Sequence, residues 1–249
     1  MVNLRRPEEI EKIRTSNLIV AEILKELRSL VKPGITTKEL DLYSEELAKK
    51  RKAKPAFKGY NGYPFALCAS VNSVVVHGMP SDRKLVTGDI LSLDFGICYD
   101  GYYGDSAITV PVGQVSSEAE RLMRCTEKAL YKAIKEAVPG KRLGDISAAC
   151  QETVEAEGYS VVRDYVGHGI GRQLHEEPQV PNFGRRGRGI ELKAGMVLAI
   201  EPMVNQGTYK VKLMPDGWTV MTEDGRLSAH FEHSVAITDK GPDILSRLV

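Results

Sequence analysis

The sequence carries almost no net charge, few cysteines and no long apolar run. Its 249 residues contain 34 Lys and Arg against 33 Asp and Glu, a formal charge of +1, so no global field attracts nucleic acid or an anionic membrane. The cysteines form no CxxC pair, which argues against a zinc knuckle and favours a reducing cytosol. They are Cys68, Cys98, Cys125 and Cys150.

No apolar segment follows the N-terminus. The most apolar stretch near it, residues 18–24, is interrupted by Glu22, so neither a signal peptide nor a membrane span is predicted. Hydrophobic residues at 42% and charged residues at 27% are ordinary values for a globular protein. We therefore expect a soluble, cytoplasmic protein with no membrane partner, of a length that fits one domain or two.

Four stretches combine apolar residues at helical spacing with signals for a helix start or stop. The predicted helices are residues 7–31, residues 37–50 capped by Thr36 or Thr37, a segment from Ser116 or Ser117 to a stop at Pro139-Gly140, and residues 144–157. Short β-branched runs bounded by Gly, Asp and Pro predict strands. The predicted strands are residues 71–76, 90–97, 107–110, 160–162, 196–200, 219–222 and 234–237.

The order of two helices followed by strands occurs twice, and short matches mark the repetition. Residues 31–34 (VKPG) line up with residues 137–140 (AVPG) at an offset of 106 residues. Residues 85–94 line up with residues 192–201 at an offset of 107 residues. Two matches in the same order indicate an internal duplication.

The second match places Asp94 and Glu201 at corresponding positions, each at the end of a strand-like run. Two copies are too few for a solenoid. We therefore predict a single domain of residues 1–249 with pseudo-twofold symmetry, in which the half-repeats are approximately residues 1–111 and 112–249.

Four carboxylates and one histidine could meet in such a domain. If the halves pack about a twofold axis, Asp94 and Glu201 face one another, and carboxylates that close need protons or cations to neutralise them. Asp105 and Glu232 repeat the pattern, each opening a β-branched strand, and His168 lies between glycines that let partners approach its ring. One neutral nitrogen and four carboxylates suit two divalent ions about 3.5–4 Å apart.

Each of these residues is a weak signal when taken alone. An aspartate at a strand end is commonly a turn former, and a glutamate before a histidine is commonly a surface charge. Their joint placement in both halves is what favours a dinuclear metal centre. The predicted ligands are Asp94, Asp105, His168, Glu201 and Glu232.

Short motifs recur in order across most of the chain, at residues 58–60, 62–64, 70–72, 76–78, 88–94, 104–105, 167–171, 175–178, 199–202 and 231–233. Together with the five ligands, these motifs resemble the type I methionine aminopeptidases of the creatinase-like, or pita-bread, fold. The resemblance implies an α+β fold in which two helix pairs cover a curved antiparallel sheet. The short N-terminus resembles the form without a zinc-finger extension.

The resemblance also implies an activity, namely removal of the N-terminal methionine from nascent proteins and peptides whose second residue is small. Two divalent ions, from among Co, Mn, Fe and Zn, would bridge a water that becomes the hydroxide nucleophile. Glu201 would carry its proton to the leaving amine, His175 would stabilise the tetrahedral oxyanion, and His77 would bind the peptide near the scissile amide. We interpret His230 and His233 as structural, with tuning of the metal ligands through hydrogen bonds as the alternative.

The same resemblance implies a slot for the methionine side chain, where aromatic walls contact the sulfur. The residues that would line it are Tyr60, Tyr63, Cys68, His77 and Trp218, and with His175 they make six predicted substrate-binding residues. Phe57 and Leu174 stand at places that affect the volume of this slot and differ among relatives. Asn72 and Ser228 are similar to contributors to a monovalent cation site, for Na or K.

Three other functions fit parts of the pattern. Proline-directed peptidases of the same fold use a similar ligand set but usually bear an additional N-terminal domain. Creatinase-like binding proteins have lost the metal ligands, which are intact here. A bis-carboxylate nuclease needs a basic groove for phosphate, whereas the dense basic cluster at residues 185–188 is interpreted as a solvated turn or a surface that meets the ribosome. We expect a monomer without a specific nucleic-acid partner.

Overall fold

The structure, a computed structural model, describes residues 2–248; Met1 and Val249, the end residues of the predicted domain, lie outside the described residues. The helices in residues 2–248 are α1 (Pro7–Leu30), α2 (Thr37–Lys50), α3 (Ser117–Ile134) and α4 (Leu143–Glu155). All four predicted helices are therefore present, although α3 ends before the Pro-Gly stop. Among the described residues, no helix is both long enough and apolar enough to cross a membrane.

Side-chain caps determine where two of the helices begin. The Thr36 hydroxyl accepts a hydrogen bond from Glu39 N–H (3.1 Å), and the Glu39 carboxylate accepts one from Thr36 N–H (2.7 Å). This reciprocal pair is a capping box, which satisfies two amides that the helix itself leaves unpaired. Ser116 Oγ accepts from Ala119 N–H (3.2 Å). Of the two candidates predicted for each helix, Thr36 and Ser116 are the caps.

The strands are short, and most belong to one curled sheet. Their bounds are β1 (Lys54–Pro55), β2 (Leu67–Val71), β3 (Val74–Val76), β4 (Ile90–Tyr99), β5 (Tyr102–Pro111), β6 (Ser160–Val161), β7 (Gly167–Gly169), β8 (Glu176–Val180), β9 (Val197–Ile200), β10 (Met203–Asn205), β11 (Val211–Leu213), β12 (Val220–Thr222), β13 (Ser228–His230), β14 (Glu232–Thr238) and β15 (Gly241–Ile244).

The large sheet has the strand order β1-β4-β5-β14-β9-β7-β8, with β2 also paired to β4 and β15 to β14. Its neighbouring strands are antiparallel. Two small sheets, β13-β10-β6 and β11-β12-β3, accompany it.

Alternate residues along a strand point to opposite faces of the large sheet. Leu93 and Phe95 of β4 are buried with apolar residues of α1 and α2. Leu198 of β9 and Val235 of β14 are buried with residues of α3 and α4. Each helix pair thus covers half of one face, as predicted. Asp94, between Leu93 and Phe95, points to the opposite face.

The prediction of one strand over residues 71–76 is wrong. The chain turns between β2 and β3, and Asn72 has a φ of 56°, in the left-handed region that asparagine tolerates. The turn is hidden in the sequence because β-branched residues flank it on both sides. It separates two strands that pair with different partners, β4 and β12.

Two carboxylates lie inside long strands rather than at strand ends. Strand β4 continues past Asp94 to Tyr99, and β5 begins before Asp105, because Asp100 and Gly101 form a two-residue hairpin between them. Both turn residues have positive φ (48° and 75°), the geometry that matches the twist of paired strands. The expectation that Asp94 ends a strand and Asp105 opens one is corrected accordingly.

The internal repeat remains our proposal, and equivalent backbone contacts support it. Gly34 N–H donates to Leu85 O (2.8 Å), and Gly140 N–H donates to Leu192 O (3.0 Å). These pairs keep the sequence offsets of 106 and 107 residues. Isolated bridges between Thr36 and Lys84 and between residues 142 and 191 repeat the match.

Candidate metal centre and substrate cavity

One cavity of about 160 Å³ brings together all five predicted metal ligands and all six predicted substrate-binding residues. Its lining residues are Phe57, Tyr60, Asn61, Tyr63, Cys68, His77, Asp94, Asp105, His168, Leu174, His175, Glu201, Trp218 and Glu232. Asn72 and Ser228 are not among them. The two groups of residues that the sequence predicts for separate tasks therefore share one cavity.

Three of the carboxylates surround the small residue Ala107 on the face opposite the helices. Asp94 on β4 and Glu232 on β14 are the two cross-strand neighbours of Ala107, and directly paired residues of antiparallel strands point to the same face. Asp105 lies two residues before Ala107 on β5, and so on that face as well. Because Ala107 has only a methyl group, the three carboxylates converge around open space.

His168 and Glu201 approach this space from the neighbouring strands. His168 on β7 pairs with Ala199 of β9, and Glu201 follows the last residue of β9. His168 Nδ1 donates to Gly169 O (3.0 Å), which fixes the tautomer and leaves the lone pair of Nε2 facing the carboxylates. Ligand atoms of Asp105, His168 and Glu232 lie within 4.8 Å of one another, and all three residues are buried.

The electrostatics of this cluster show that it needs a counter-charge. Burial, together with the charge of Glu201, raises the pKa of Asp94 to about 7, and burial raises the pKa of Glu201 to about 8. Burial and neighbouring carboxylates raise the pKa values of Asp105 and Glu232 well above the ordinary range. Burial lowers the pKa of His168 to about 3. A carboxylate set that is neutralised only by protons, beside a neutral imidazole, is suited to divalent cations.

Two oxygen atoms provide a further test of whether a cation fits. Asp105 Oδ1 and Glu232 Oε1 are buried without a hydrogen-bond partner among the described residues. A buried oxygen without a partner is costly, and a cation at the cluster would satisfy both. The donor set of carboxylate oxygens and one imidazole nitrogen therefore fits borderline-hard divalent ions.

His230, which the sequence led us to interpret as structural, faces the cluster. It is 1% exposed, and its Nε2 lies 3.5 Å from Glu201 Oε2 with no hydrogen-bond partner among the described residues. Thr109 holds its backbone, since His230 N–H donates to Thr109 Oγ1 (2.9 Å). One feature of the sequence points to this placement. His230 lies two residues before Glu232, and alternate residues of an extended chain point to the same side.

His233 has the opposite parity and fits the structural interpretation. Its Nδ1 lies 2.7 Å from Ser246 Oγ, and its Nε2 lies 3.4 Å from the Tyr131 hydroxyl. Tyr131 belongs to α3, on the helix-covered face. The two histidines of this segment therefore point to different sides of the sheet.

His175 stands at the mouth of the cavity, between the cluster and the aromatic residues. Its Nδ1 lies 2.8 Å from the Tyr60 hydroxyl, and its ring meets the His168 ring edge-on at 4.3 Å between centroids. The Tyr60 and His175 rings are 5.1 Å apart. His175 is exposed and so is not fixed by packing.

His77 lies on the other side of the cavity in a strained backbone conformation. Its φ is 56°, and such conformations are retained where the surroundings impose them, often at functional sites. The rings of Tyr165 and Trp218 meet it edge-on at 5.6 and 6.5 Å. Burial lowers its pKa to about 4, so it is neutral near pH 7 and can both donate and accept hydrogen bonds.

The slot beside the cluster is apolar apart from groups that already have partners. The Tyr63 hydroxyl lies 3.1 Å from Leu67 O and 3.2 Å from Gly78 O, so its ring faces the cavity while its polar end is satisfied. Burial raises the pKa of the Cys68 thiol well above its usual range, which keeps it uncharged. The Trp218 ring meets Tyr63 edge-on at 5.1 Å. Such a lining suits an unbranched apolar side chain.

Asn72 and Ser228 lie side by side outside the cavity. Ser228 N–H donates to Asn72 O (2.8 Å). The side chain of Asn72 donates to Asp89 (2.7 Å) and accepts from Ile90 N–H (2.9 Å), and the Ser228 hydroxyl donates to Asn205 Oδ1 (2.9 Å). Both side chains therefore have protein partners.

The basic cluster at residues 185–188 has acidic side chains beside it. Arg186 pairs with Glu152 of α4 (2.7 Å) and with Glu136 (3.6 Å). Its charge is thus balanced locally by acidic side chains, as expected for a solvated turn. The cluster does not line the cavity.

Comparisons with known proteins show the family of the chain. The model of metallopeptidase family M24 matches residues 11–239. A methionine aminopeptidase of Clostridium perfringens is 54% identical over 246 residues, covering 99% of each chain. The crystal structure of a Thermotoga maritima methionine aminopeptidase superposes with a TM-score of 0.98 at 49% identity and covers 100% of both chains.

Proline-directed relatives share the architecture only. A prolidase from Pyrococcus horikoshii has a TM-score of 0.80 at 22% identity, and the match covers 99% of this chain but 64% of that one. The likeness shows the fold alone, and the predicted α+β pita-bread fold is confirmed. The family model and the close relatives over the whole length decide the family: the chain belongs to metallopeptidase family M24 and, within it, to the methionine aminopeptidases.

Proposed function

We propose that the protein removes the N-terminal methionine from nascent proteins and peptides when the second residue is small. The observation that carries this proposal is the shared cavity, in which a carboxylate–histidine cluster lies beside an aromatic slot. Relatives named methionine aminopeptidases support it across the whole chain. A site that both hydrolyses and recognises one apolar side chain needs these two parts in contact.

Membership of a metallopeptidase family implies binding of divalent metal. We propose two ions, of Co, Mn, Fe or Zn, because four carboxylates offer more oxygen atoms than one ion needs. The proposed ligands are Asp94, Asp105, His168, Glu201 and Glu232. When bound, the ions supply Lewis-acid polarisation of the scissile carbonyl and lower the pKa of the attacking water.

Glu201 is proposed to move the proton. Its side chain is 13% exposed, and its two oxygens lie 3.5 Å from His168 Nε2 and His230 Nε2. Burial favours the protonated carboxyl, whereas nearby cations favour the carboxylate. A group balanced in this way can accept a proton from the attacking water and give it to the leaving amine.

His175 and His77 are proposed to bind the reacting peptide group from opposite sides. A carbonyl oxygen that gains negative charge needs a donor, and His175 offers its Nε2 because Nδ1 is engaged by Tyr60. His77 is neutral and faces the cavity, so it can hydrogen-bond the peptide near the scissile amide. Tyr60, Tyr63, Cys68 and Trp218 are proposed to hold the methionine side chain, with Phe57 and Leu174 limiting the volume.

The remaining parts of the proposal concern a monovalent ion, the cellular compartment, the oligomeric state and the ribosome. A monovalent ion, Na or K, at Asn72 and Ser228 would rely on backbone carbonyls, because both side chains have partners. The four cysteines are free thiols, which suits a cytoplasmic protein. We propose a monomer that acts on nascent chains at the ribosome surface, with residues 185–188 as a contact candidate.

The first test of function is a matched peptide series. We expect release of the first residue from Met-Ala-Ser and almost none from Met-Lys-Ser or Leu-Ala-Ser, because the slot selects the first side chain and crowding near the metals limits the second. One methylene more or less in an apolar slot is worth about 1–3 kcal/mol, so slow release of norleucine is compatible with the proposal. Free amino acid would be measured at saturating metal.

Leu-Pro-Ser separates the two enzymes of this fold. A proline-directed enzyme accepts many first residues provided that proline follows. Preference for Leu-Pro-Ser over Met-Ala-Ser would therefore replace the proposed activity with that of the prolidase-like relatives, leaving the fold and metal centre in place.

A second test concerns His230. Replacing His230 with Ala removes the nitrogen beside Glu201, so we expect turnover and metal affinity each to fall by about 10–100-fold, as is usual for groups that orient ligands. The matched control is His233→Ala, which removes a neighbouring ring from the other face. Equal losses in the two variants would show that His230 has no role of its own.

A further inference from the structure

The turn that carries His175 is fixed by the carboxylate of the next residue. Arg172 N–H donates to Glu176 Oε1 (2.8 Å), and Gln173 N–H donates to the same oxygen (3.1 Å). Both amides precede His175 in the sequence and Glu176 follows it, so these two hydrogen bonds join the start of the turn to its end. His175 lies between these amides and Glu176, so this closure fixes the backbone that carries the His175 ring, while Tyr60 and His168 contact the ring itself.

The other side of Glu176 is held by the N-terminal arm, Val2–Arg6. The Arg5 guanidinium donates to both carboxylate oxygens of Glu176, and Asn3 Nδ2 donates to one of them (2.8 Å). The Arg5 and Glu176 side chains are 8% and 6% exposed. One nitrogen, Arg5 Nη2, contacts both oxygens, and this buried, charge-assisted pair holds the Glu176 carboxylate in place.

The arm is itself anchored and closely fitted. Arg5 N–H donates to Gly195 O (2.7 Å). Gly171, at the start of the turn, has no room for a side chain, because a Cβ there would lie 2.5 Å from Arg5 Nη2. The guanidinium is therefore packed directly against Gly171 at the start of the turn.

We propose that Arg5 is a positioning residue of the active site, acting through Glu176 to hold the His175 ring at the mouth of the cavity. This inference rests on the proposed function, since it assigns a task to His175. The first residues of the chain, 170 positions away in sequence, then belong to the catalytic machinery rather than to a disposable tail.

A second arginine–carboxylate pair, more exposed than the first, offers a control. Arg14 Nη2 lies 2.6 Å from Asp243 Oδ2 and joins α1 to β15. Both partners line a different cavity from the one that holds the cluster. Arg14→Ala therefore removes an arginine and an anchoring ion pair without touching the His175 turn.

The experiment compares Arg5→Ala, Arg5→Lys, Glu176→Gln and Arg14→Ala in the metal-loaded enzyme. We expect kcat to fall about 10–100-fold in Arg5→Ala and Glu176→Gln, the loss usual for residues that orient a functional group, with KM and metal content little changed. Arg5→Lys keeps the positive charge but not the guanidinium group, so its kcat should lie between those of the wild type and Arg5→Ala. Arg14→Ala should retain wild-type kcat.

Two further measurements separate positioning from general stability. In a His175→Ala background, Arg5→Ala should cost almost nothing in kcat, because the group that it positions is absent; the same fold-loss in both backgrounds would overturn the proposal. The imidazole nuclear magnetic resonance signals of His175 in metal-free protein should shift in Arg5→Ala and Glu176→Gln but not in Arg14→Ala.

Unmoved signals in both variants, or wild-type kcat in Arg5→Ala, would equally overturn it. If Arg5→Ala does not fold, Arg5→Lys and Glu176→Gln carry the test. Should the wild type release no methionine, the proposed function fails, whereas the resonance measurement still decides whether Arg5 positions His175.

Discussion

Glu201→Gln is expected to lower kcat by about 10²–10⁴-fold, the loss typical when acid–base catalysis is removed. Gln keeps the shape of the side chain but cannot carry the proton between the attacking water and the leaving amine. It also replaces a charged oxygen that lies 3.5 Å from His168 Nε2 or His230 Nε2 with a neutral amide. Initial rates on Met-Ala-Ser and metal content should be measured on the same preparations.

Two further variants are needed to interpret the result for Glu201→Gln. Glu223→Gln changes a glutamate whose side chain is 55% exposed and should leave kcat unchanged. Asp94→Asn, at the pseudo-equivalent position, should reduce metal occupancy as much as rate. Retention of more than about a third of wild-type turnover in Glu201→Gln, against the expected loss, would show that another group moves the proton.

Removal of metal should abolish hydrolysis and leave a folded chain that regains activity when metal returns. The chain tolerates the loss because its carboxylates can take up protons in place of cations, as the raised pKa values of Asp94 (about 7) and Glu201 (about 8) indicate. Activity and circular dichroism should be followed through chelation and readdition. Hydrolysis that survives exhaustive chelation would contradict a metal-dependent mechanism.

The same pKa values set the sign of the pH dependence in the metal-free protein. Carboxyls in an unfolded chain titrate near pH 4, whereas the pKa values of these two are raised to about 7 and 8 in the folded chain. These two carboxyls therefore bind more protons in the folded chain than in the unfolded one. The buried histidines, such as His77 and His168, act in the opposite direction below pH 6.5 because their pKa values are lowered to about 4 and about 3. The stability of the metal-free protein should therefore fall as the pH rises through the pKa values of about 7 and about 8. Bound metal should reverse the trend, since it competes with protons for the carboxylates.

The features that could be predicted from sequence carry local or repeated signals. Thr36 and Ser116 mark the starts of their helices through residues close by in the sequence. The duplicated pattern identifies Asp94 and Glu201, although each residue alone is uninformative. The turn at Asn72 could not be predicted, because the run of β-branched residues around it predicts one continuous strand. The backbone conformation there depends on pairing partners far away in the chain.

His230 and Arg5 illustrate two further limits. His230 has the parity of Glu232, but it is the last residue of β13 whereas Glu232 opens β14, so parity alone does not establish that the His230 ring is buried beside Glu201. Arg5 contacts Glu176 across 171 positions, and nothing in a charged N-terminal segment indicates that its partner is buried. Contacts of this kind are set by tertiary packing and leave no local pattern.

The pairing of β5 with β14 implies that bound metal would also hold the two parts of the large sheet together. In the large sheet these strands form the junction between the N-terminal and C-terminal parts of the chain, and their register contains two residue pairs, compared with ten between β4 and β5. Two hydroxyls reinforce the junction, since Ser106 Oγ donates to Glu232 O (2.7 Å) and Ser234 Oγ donates to Asp105 O (2.9 Å). Asp94 and Asp105 lie on one side of it, and His168, Glu201 and Glu232 on the other. A cation bound by both sets would therefore link the two parts of the large sheet, and its loss would weaken this junction as well as stop the chemistry.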